Sequence, residues 1–422
     1  MKLKLIGRAG TASMLSLAMT LGVTSCSNDY TAAYVYMTTS KALPHGLING
    51  YQVDYQSGLL RQLPDSPIDT GGRNTVALVV APNDLFLYTV NNFDSNVVEF
   101  AIGTDGKLYP QHTYETKGSL PTAAAIDASG KFLYVTFTYQ YNSDGSVLYT
   151  PANPGPGGIS IFPINSDNTL GKPTTVNVGR NPVGITTVTS GGKSYVYVIE
   201  QDSAITTNTV TGNKGTNNLL AFSEDTTNSA TAGALTALTA AGVTINKGNV
   251  ASTGFASGAT PSGILADSTG THLYVTDQTL NQVATYSLSN GIPTPIGTAV
   301  QTDAGPMGMT FDLSGKYLYV TAYSANTLDG YTLNASGLPV RSTVMPTMQT
   351  GTGPTCAAVI GAPTNAGPSH GEYLYTSNQL GGNVTGLQLN QQDGSLVQIP
   401  GTPFSGSALP TCLVTVPAFP LR

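Results

Sequence analysis

Small apolar residues, a polar turn and an alternating aromatic-aliphatic run recur in fixed order along this chain. Pro121–Thr136 reads PTAAAIDASGKFLYVT, Pro261–Thr276 reads PSGILADSTGTHLYVT and Pro306–Thr321 reads PMGMTFDLSGKYLYVT. Thr75–Val90 is a degenerate copy, TVALVVAPNDLFLYTV. In all four the first residue stands thirteen before the tyrosine of the Tyr-Val or Tyr-Thr pair. Pro182–Ile199 and Pro354–Ser377 are looser copies with extra residues in the middle. A unit repeating every ~45 residues signals a repeat architecture.

Each copy predicts two short strands joined by a tight turn. The first half is small and apolar (Ala123, Ala124, Ala125, Ile126) and the second alternates around Phe132, Leu133, Tyr134 and Val135. Between them, Asp127–Gly130 and Asp312–Gly315 supply an Asp that opens a turn and a Gly that accepts positive φ. A polar loop and a third strand follow, as in Asn96–Ile102, Asn281–Leu288 and Asn326–Leu333, then a Gly-x-Leu turn (Gly106–Leu108, Gly394–Leu396) and a weaker fourth strand. Four antiparallel strands per unit make a propeller blade. The small first strand fits the crowded axis, with Gly184, Gly263, Gly308 and Ala357 in equivalent places.

First-strand copies begin at Thr75, Pro121, Pro182, Pro261, Pro306, Pro354 and Pro410, which predicts seven blades. The last copy has no second strand after it. Ala33–Asp54 has second and third strands but no first. The two halves complete one blade, so the expected fold is an all-β, seven-bladed β-propeller closed by its N- and C-terminal strands, which removes exposed sheet edges.

Composition adds an address. The 422 residues include 48 Gly, 26 Pro and only 9% charged side chains, as one large β domain requires. Residues 1–25 differ. Lys2, Lys4 and Arg8 precede an apolar run from Ala12 to Val23 that ends in Val-Thr-Ser-Cys. This pattern reads as a lipoprotein signal peptide cleaved before Cys26, which would carry the lipid, with 26–32 as a tether and 33–422 as the propeller. Export to the cell envelope follows, to the outer membrane if the organism has one. Cleavage would remove three basic residues and no acidic one, leaving 14 basic against 23 acidic and a balance of −9. That excludes nucleic acid as an expected partner. A monomer, touching the membrane only through its anchor, is expected.

Candidate chemistry gathers at one end of the channel. Arg73 and Arg180 stand two residues before their blades' first strands, so they share a slot where guanidiniums could hold a carboxylate or phosphate. Three residues after the repeat tyrosine come Asn91, Glu200, Asp277 and Asn378, predicted as a polar arc on that face, with Glu200 the one plausible general base. Long insertions follow the second strands of two neighbouring blades, at Tyr139–Gly158 and Asp202–Asn217. Tyr139, Tyr141 and Tyr149 make the first an aromatic candidate for ligand contact. The four histidines (His45, His112, His272, His370) lack ligand spacing, so neither a metal nor a cofactor is expected. Gly367–Gly371 matches Gly-x-Ser-x-Gly as a string but reads as a loop between blade strands, not a nucleophile elbow. Cys356 and Cys412 occupy the same place in consecutive copies. They are expected either as two small buried hydrophobes, the favoured reading, or as a disulfide that export would permit.

The Tyr-Val-Thr repeat with Pro…Gly-Lys-x-Leu-Tyr-Val resembles the seven-bladed lactonase-type propellers, which include 6-phosphogluconolactonase-like and YVTN-repeat proteins. Members resembling the enzyme carry Gly-x-Gly-Pro-Arg-His at the mouth, where Arg and His are proposed to act. Here Gly351-Thr-Gly-Pro354 continues with Thr355 and Cys356, and Gly305-Pro306 with Met307 and Gly308. The expectation is therefore an extracytoplasmic module that binds a small molecule, protein or glycan at the mouth. Lactone hydrolysis, with Arg73, Arg180 and Glu200 as its residues, and a structural envelope role are the alternatives.

Overall fold

The computed structural model describes residues 31–40, 44–141, 157–201, 218–226, 232–239, 254–361 and 372–418. These form seven antiparallel sheets. Blades 1 to 6 have inner strands Thr75–Val80, Gly118–Ile126, Pro182–Ser190, Pro261–Ala266, Pro306–Phe311 and Pro354–Ile360. Blade 7 joins the chain ends: its inner strand Pro410–Pro417 pairs with Thr31–Thr39, with Met37 opposite Leu413. The inner strands pack each against the next round the ring, including Pro410–Pro417 against Thr75–Val80, so the ring is closed. In blades 3, 5, 6 and 7 the fourth strand is broken into two pieces that pair with the same third strand.

The hydrophobic core lies between blades. Tyr36 of blade 7 packs with Leu87 and Phe100 of blade 1, and Tyr319 of blade 5 with Leu374 and Leu387 of blade 6. The repeat tyrosine fastens six of the seven joints. Its hydroxyl donates to a main-chain carbonyl in the next blade's turn between third and fourth strands: Tyr36 to Gly106 at 2.7 Å, Tyr88 to Asn168 at 2.6 Å, Tyr197 to Gly291 at 3.0 Å, Tyr274 to Gly337 at 2.7 Å, Tyr319 to Gly394 at 2.8 Å and Tyr375 to Gly58 at 2.7 Å. The Gly-x-Leu turn needs its glycine for this. Gly394 has φ +73°, and a Cβ there would overlap the Tyr317 ring. In blade 2 Tyr134 faces the buried Glu224 carboxyl of blade 3 instead, and burial, with Asp127 nearby, pushes that acid up to about 7.

Inner-strand hydroxyls add a second tie. Thr122 donates to the Pro182 carbonyl and Ser262 to the Pro306 carbonyl, both at 2.6 Å, and Thr355 to the Thr411 carbonyl at 2.7 Å. Cys356 and Cys412 form a disulfide across the inner strands of blades 6 and 7, with Cα atoms 5.1 Å apart. This corrects the favoured reading of two unlinked thiols. Near the axis the inner strands run side by side, so equivalent residues of adjacent blades come within bonding reach.

Candidate functional site

At the end of the channel where the inner strands begin, the chain must enter each blade by a sharp turn. The residue just before the Thr or Pro that opens each repeat takes a left-handed conformation in six blades: Asn74 (φ +55°), Leu120 (+54°), Asn181 (+47°), Gly305 (+73°), Gly353 (+67°) and Leu409 (+55°). The carbonyl of this lead-in residue then receives a hydrogen bond from the residue following the second strand. The N–H groups of Ser40, Asn92, Gln201, Gln278, Tyr323 and Gln379 donate to Leu409, Asn74, Asn181, Thr260, Gly305 and Gly353 at 2.7–3.0 Å. Thr138 does the same through its hydroxyl, to Leu120 at 3.0 Å. The result is a seven-membered collar of amides and hydroxyls at the mouth, every member half-buried.

Beneath the collar lies a second ring, one residue earlier: Thr39, Asn91, Phe137, Glu200, Asp277, Ala322 and Asn378. All seven are buried. Three of the predicted arc residues brace their own blade. Asn91 accepts from Thr75 Oγ1 at 2.7 Å and donates to Asn96 Oδ1 at 2.9 Å. Asp277 accepts the main-chain N–H groups of Ala259, Thr279 and Leu280. Asn378 donates to Asn383 Oδ1 at 2.7 Å and to Thr385 Oγ1 at 2.9 Å. Glu200 is fully buried under the lead-in loop, where a side chain at Gly179 would overlap its carboxylate. The predicted arc therefore lies one position below the mouth. A strand points successive side chains to opposite sides, so a shift of one residue exchanges interior for opening. The collar itself, four residues after each repeat tyrosine, was readable as Ser, Asn, Thr, Gln, Gln, Tyr and Gln.

The two arginines of the shared slot differ in environment. Arg73 donates its main-chain N–H and Nε to the Asp94 carboxylate at 2.6 and 2.7 Å, within its own blade. That pairing holds the Asp94 carboxyl below the usual range. Arg180 is half-buried beside the blade 3 lead-in. The same slot holds Ser119, Ala259, Ala304, Thr352 and Ala408 in the other blades. Tyr139 lies in the second strand of blade 2, opposite Ser119, and Tyr141 follows just past its end; both are half-buried. Tyr149, most of the two long insertions and the Gly367–Gly371 string lie outside the described residues, as does Cys26. Among the described residues no group of three or more His, Cys, Asp or Glu side chains could hold a metal.

The collar is not evenly engaged. Asn92 Nδ2 donates to the Pro121 carbonyl at 2.6 Å, and Gln201 Nε2 to the Pro261 carbonyl at 2.7 Å, so these amides tie blade to blade. In blades 5 and 6 the Tyr323 hydroxyl donates to Gln379 Oε1 at 2.9 Å.

The family model described as "Lactonase, 7-bladed beta-propeller" matches residues 47–138 and 225–358, more than half of the chain. The chain belongs to this family. Among solved structures, a provisional 6-phosphogluconolactonase from Bacteroides fragilis superposes on this lactonase-family chain with TM-score 0.66 at 18% identity, over 92% of this chain and 99% of that one. The periplasmic gluconolactonase of Pseudomonas aeruginosa does so with TM-score 0.66 at 17% identity, over 92% and 100%. A Lactobacillus plantarum protein gives 0.64 at 17%, over 92% and 99%. At these identities the likeness is one of fold. No curated protein sequence matches the chain.

Proposed function

We propose that this lactonase-family propeller is an exported, lipid-anchored binding module that receives a small ligand at the collar without hydrolysing it. The observation carrying this reading is the content of the wall next to the collar. Where members resembling the enzyme have Arg-His, this chain has Thr355, engaged with the Thr411 carbonyl, and Cys356, held in a disulfide. Opening a lactone needs a base that reaches water and donors aimed at the developing oxyanion. Glu200, the residue singled out as a general base, is buried under the Gly179 loop. Collar amides and hydroxyls suit reversible recognition of carbonyl and hydroxyl groups. The anchor belongs to the same proposal: Cys26→Ser should release the protein from the membrane fraction or leave the precursor uncleaved, and unchanged fractionation would remove the anchor from the account.

The test pairs acid release with binding. The mature protein is incubated with a panel of sugar and alkyl lactones, with pH-stat titration for turnover and calorimetry for affinity. Saturable binding with acid release at the buffer rate supports the proposal. Enzyme-dependent acid release would make the protein a lactone hydrolase. Neither binding nor release would remove small lactones from the account.

A further inference from the structure

The two ends of the ring differ in whether a short tether can bring them to a bilayer. Second strands run toward the mouth. In blade 7 the strand Thr31–Thr39 leads into the collar residue Ser40, and it begins at the opposite end, where Thr31 pairs with Asp54 and Ala33 with Pro417. Its nine residues rise about 27 Å in extended conformation. Cys26, the proposed site of the lipid, stands five residues before Thr31. Five residues of chain reach at most about 18 Å. With the mouth against a bilayer, Thr31 would stand beyond that reach. With the other end against it, the tether is long enough.

Apolar side chains are exposed at both ends, so exposure does not choose between them; it shows what the end near Thr31 offers to lipid. Leu85 and Leu313, on the turns between first and second strands of blades 1 and 5, are 39% and 63% exposed. Tyr109, Val340 and Val397, at the starts of the fourth strands of blades 1, 5 and 6, are 49%, 52% and 64% exposed. Among the described residues, the exposed large apolar side chains of this end all lie in these three blades, in one arc through blade 7, which the tether enters. Charge adds little, since Lys107 of this arc is paired with Asp65 at 2.7 Å. A bilayer surface takes up such leucine, valine and tyrosine side chains at its headgroup boundary, and an uncharged one suffices.

We infer that the end of the propeller opposite the mouth, over blades 5, 6, 7 and 1, rests on the lipid surface, so that the mouth opens away from the bilayer and takes its ligand from the aqueous side. This rests on the proposed anchor at Cys26. The chain has no tryptophan, so a single introduced indole reports its own surroundings. The lipidated protein is reconstituted on phosphatidylcholine vesicles with and without bromine on the acyl chains next to the headgroup. Tyr109→Trp and Leu313→Trp should lose emission on the brominated vesicles. Leu380→Trp at the mouth should keep its emission, as should Val344→Trp on the outer rim of blade 5, between the two pieces of its fourth strand. All four positions are exposed, so melting temperatures should match that of wild type. Quenching of Leu380→Trp or Val344→Trp would overturn the orientation and leave the anchor standing, as would vesicle-bound protein with no variant quenched. Wild-type protein that fails to float with the vesicles would overturn the anchor and this inference together.

Discussion

The two sides of the mouth are built on one backbone plan and differ in how their side chains are used. In blades 1 and 3 the collar amides of Asn92 and Gln201 tie their own blade to the next, and Arg73 is clamped by Asp94. In blades 4 to 7 the same positions hold Gln278 and the Tyr323–Gln379 pair, beside exposed leucines. Mouth residues tie blade 1 to 2, 3 to 4 and 5 to 6, while inner-strand hydroxyls tie 2 to 3, 4 to 5 and 6 to 7, the last with the Cys356–Cys412 disulfide beside it.

The comparison breaks most visibly at the disulfide. Its partners are 56 residues apart in sequence, and a loop of that size predicts a stabilisation of up to about 4 kcal/mol. Cys412→Ser should therefore lower the urea midpoint by a corresponding amount, and reductant should do the same to wild type. No change would mean that blades 4 to 7 are not fastened from within.

The next effect belongs to the joint between blades 2 and 3. Glu224 titrates at about 7 in the folded chain, against an ordinary value near 4.5, because burial disfavours its charge. The folded state then binds more protons than the unfolded one between those values, so stability falls as pH rises from about 4.5 through 7, by up to ~3 kcal/mol. Glu224→Gln should flatten that decline and be the more stable protein at pH 8. Parallel stability-pH curves for the two proteins would place the blade 2–3 joint outside this account. Smallest is Arg73→Ala. Its half-exposed pair with Asp94 is screened by solvent, so its loss should lower the melting temperature only slightly.

Much of the fold was legible in the chain because a propeller repeats its instructions. Seven first strands could be counted, and the incomplete units at the two ends predicted closure between Ala33–Thr39 and Pro410–Val416, which the pairing of Thr31–Thr39 with Pro410–Pro417 bears out. The repeat tyrosine was visible as a marker, but its role was not, since its hydroxyl acts on a carbonyl in a different blade, 70 residues away for Tyr36 and Gly106. The strand ends that carry the candidate residues were legible; which side chains are buried there was not. Asn91, Asp277 and Asn378 were read as the mouth because Asn and Asp draw the eye; pairing register, which the sequence does not state, puts them inside and the next residue at the opening. The disulfide was harder still, because it depends on how closely two inner strands approach at the axis.

Hydrogen exchange with and without a lactone that the mature protein binds tests most directly the proposal that the ligand sits at the collar. The account predicts slowed exchange in the segments that follow the second strands, 92–95, 278–281, 323–326 and 379–382, with no change in the turns 127–131 and 312–316 at the opposite end of the inner strands. Slowed exchange confined to 127–131 and 312–316 would contradict it.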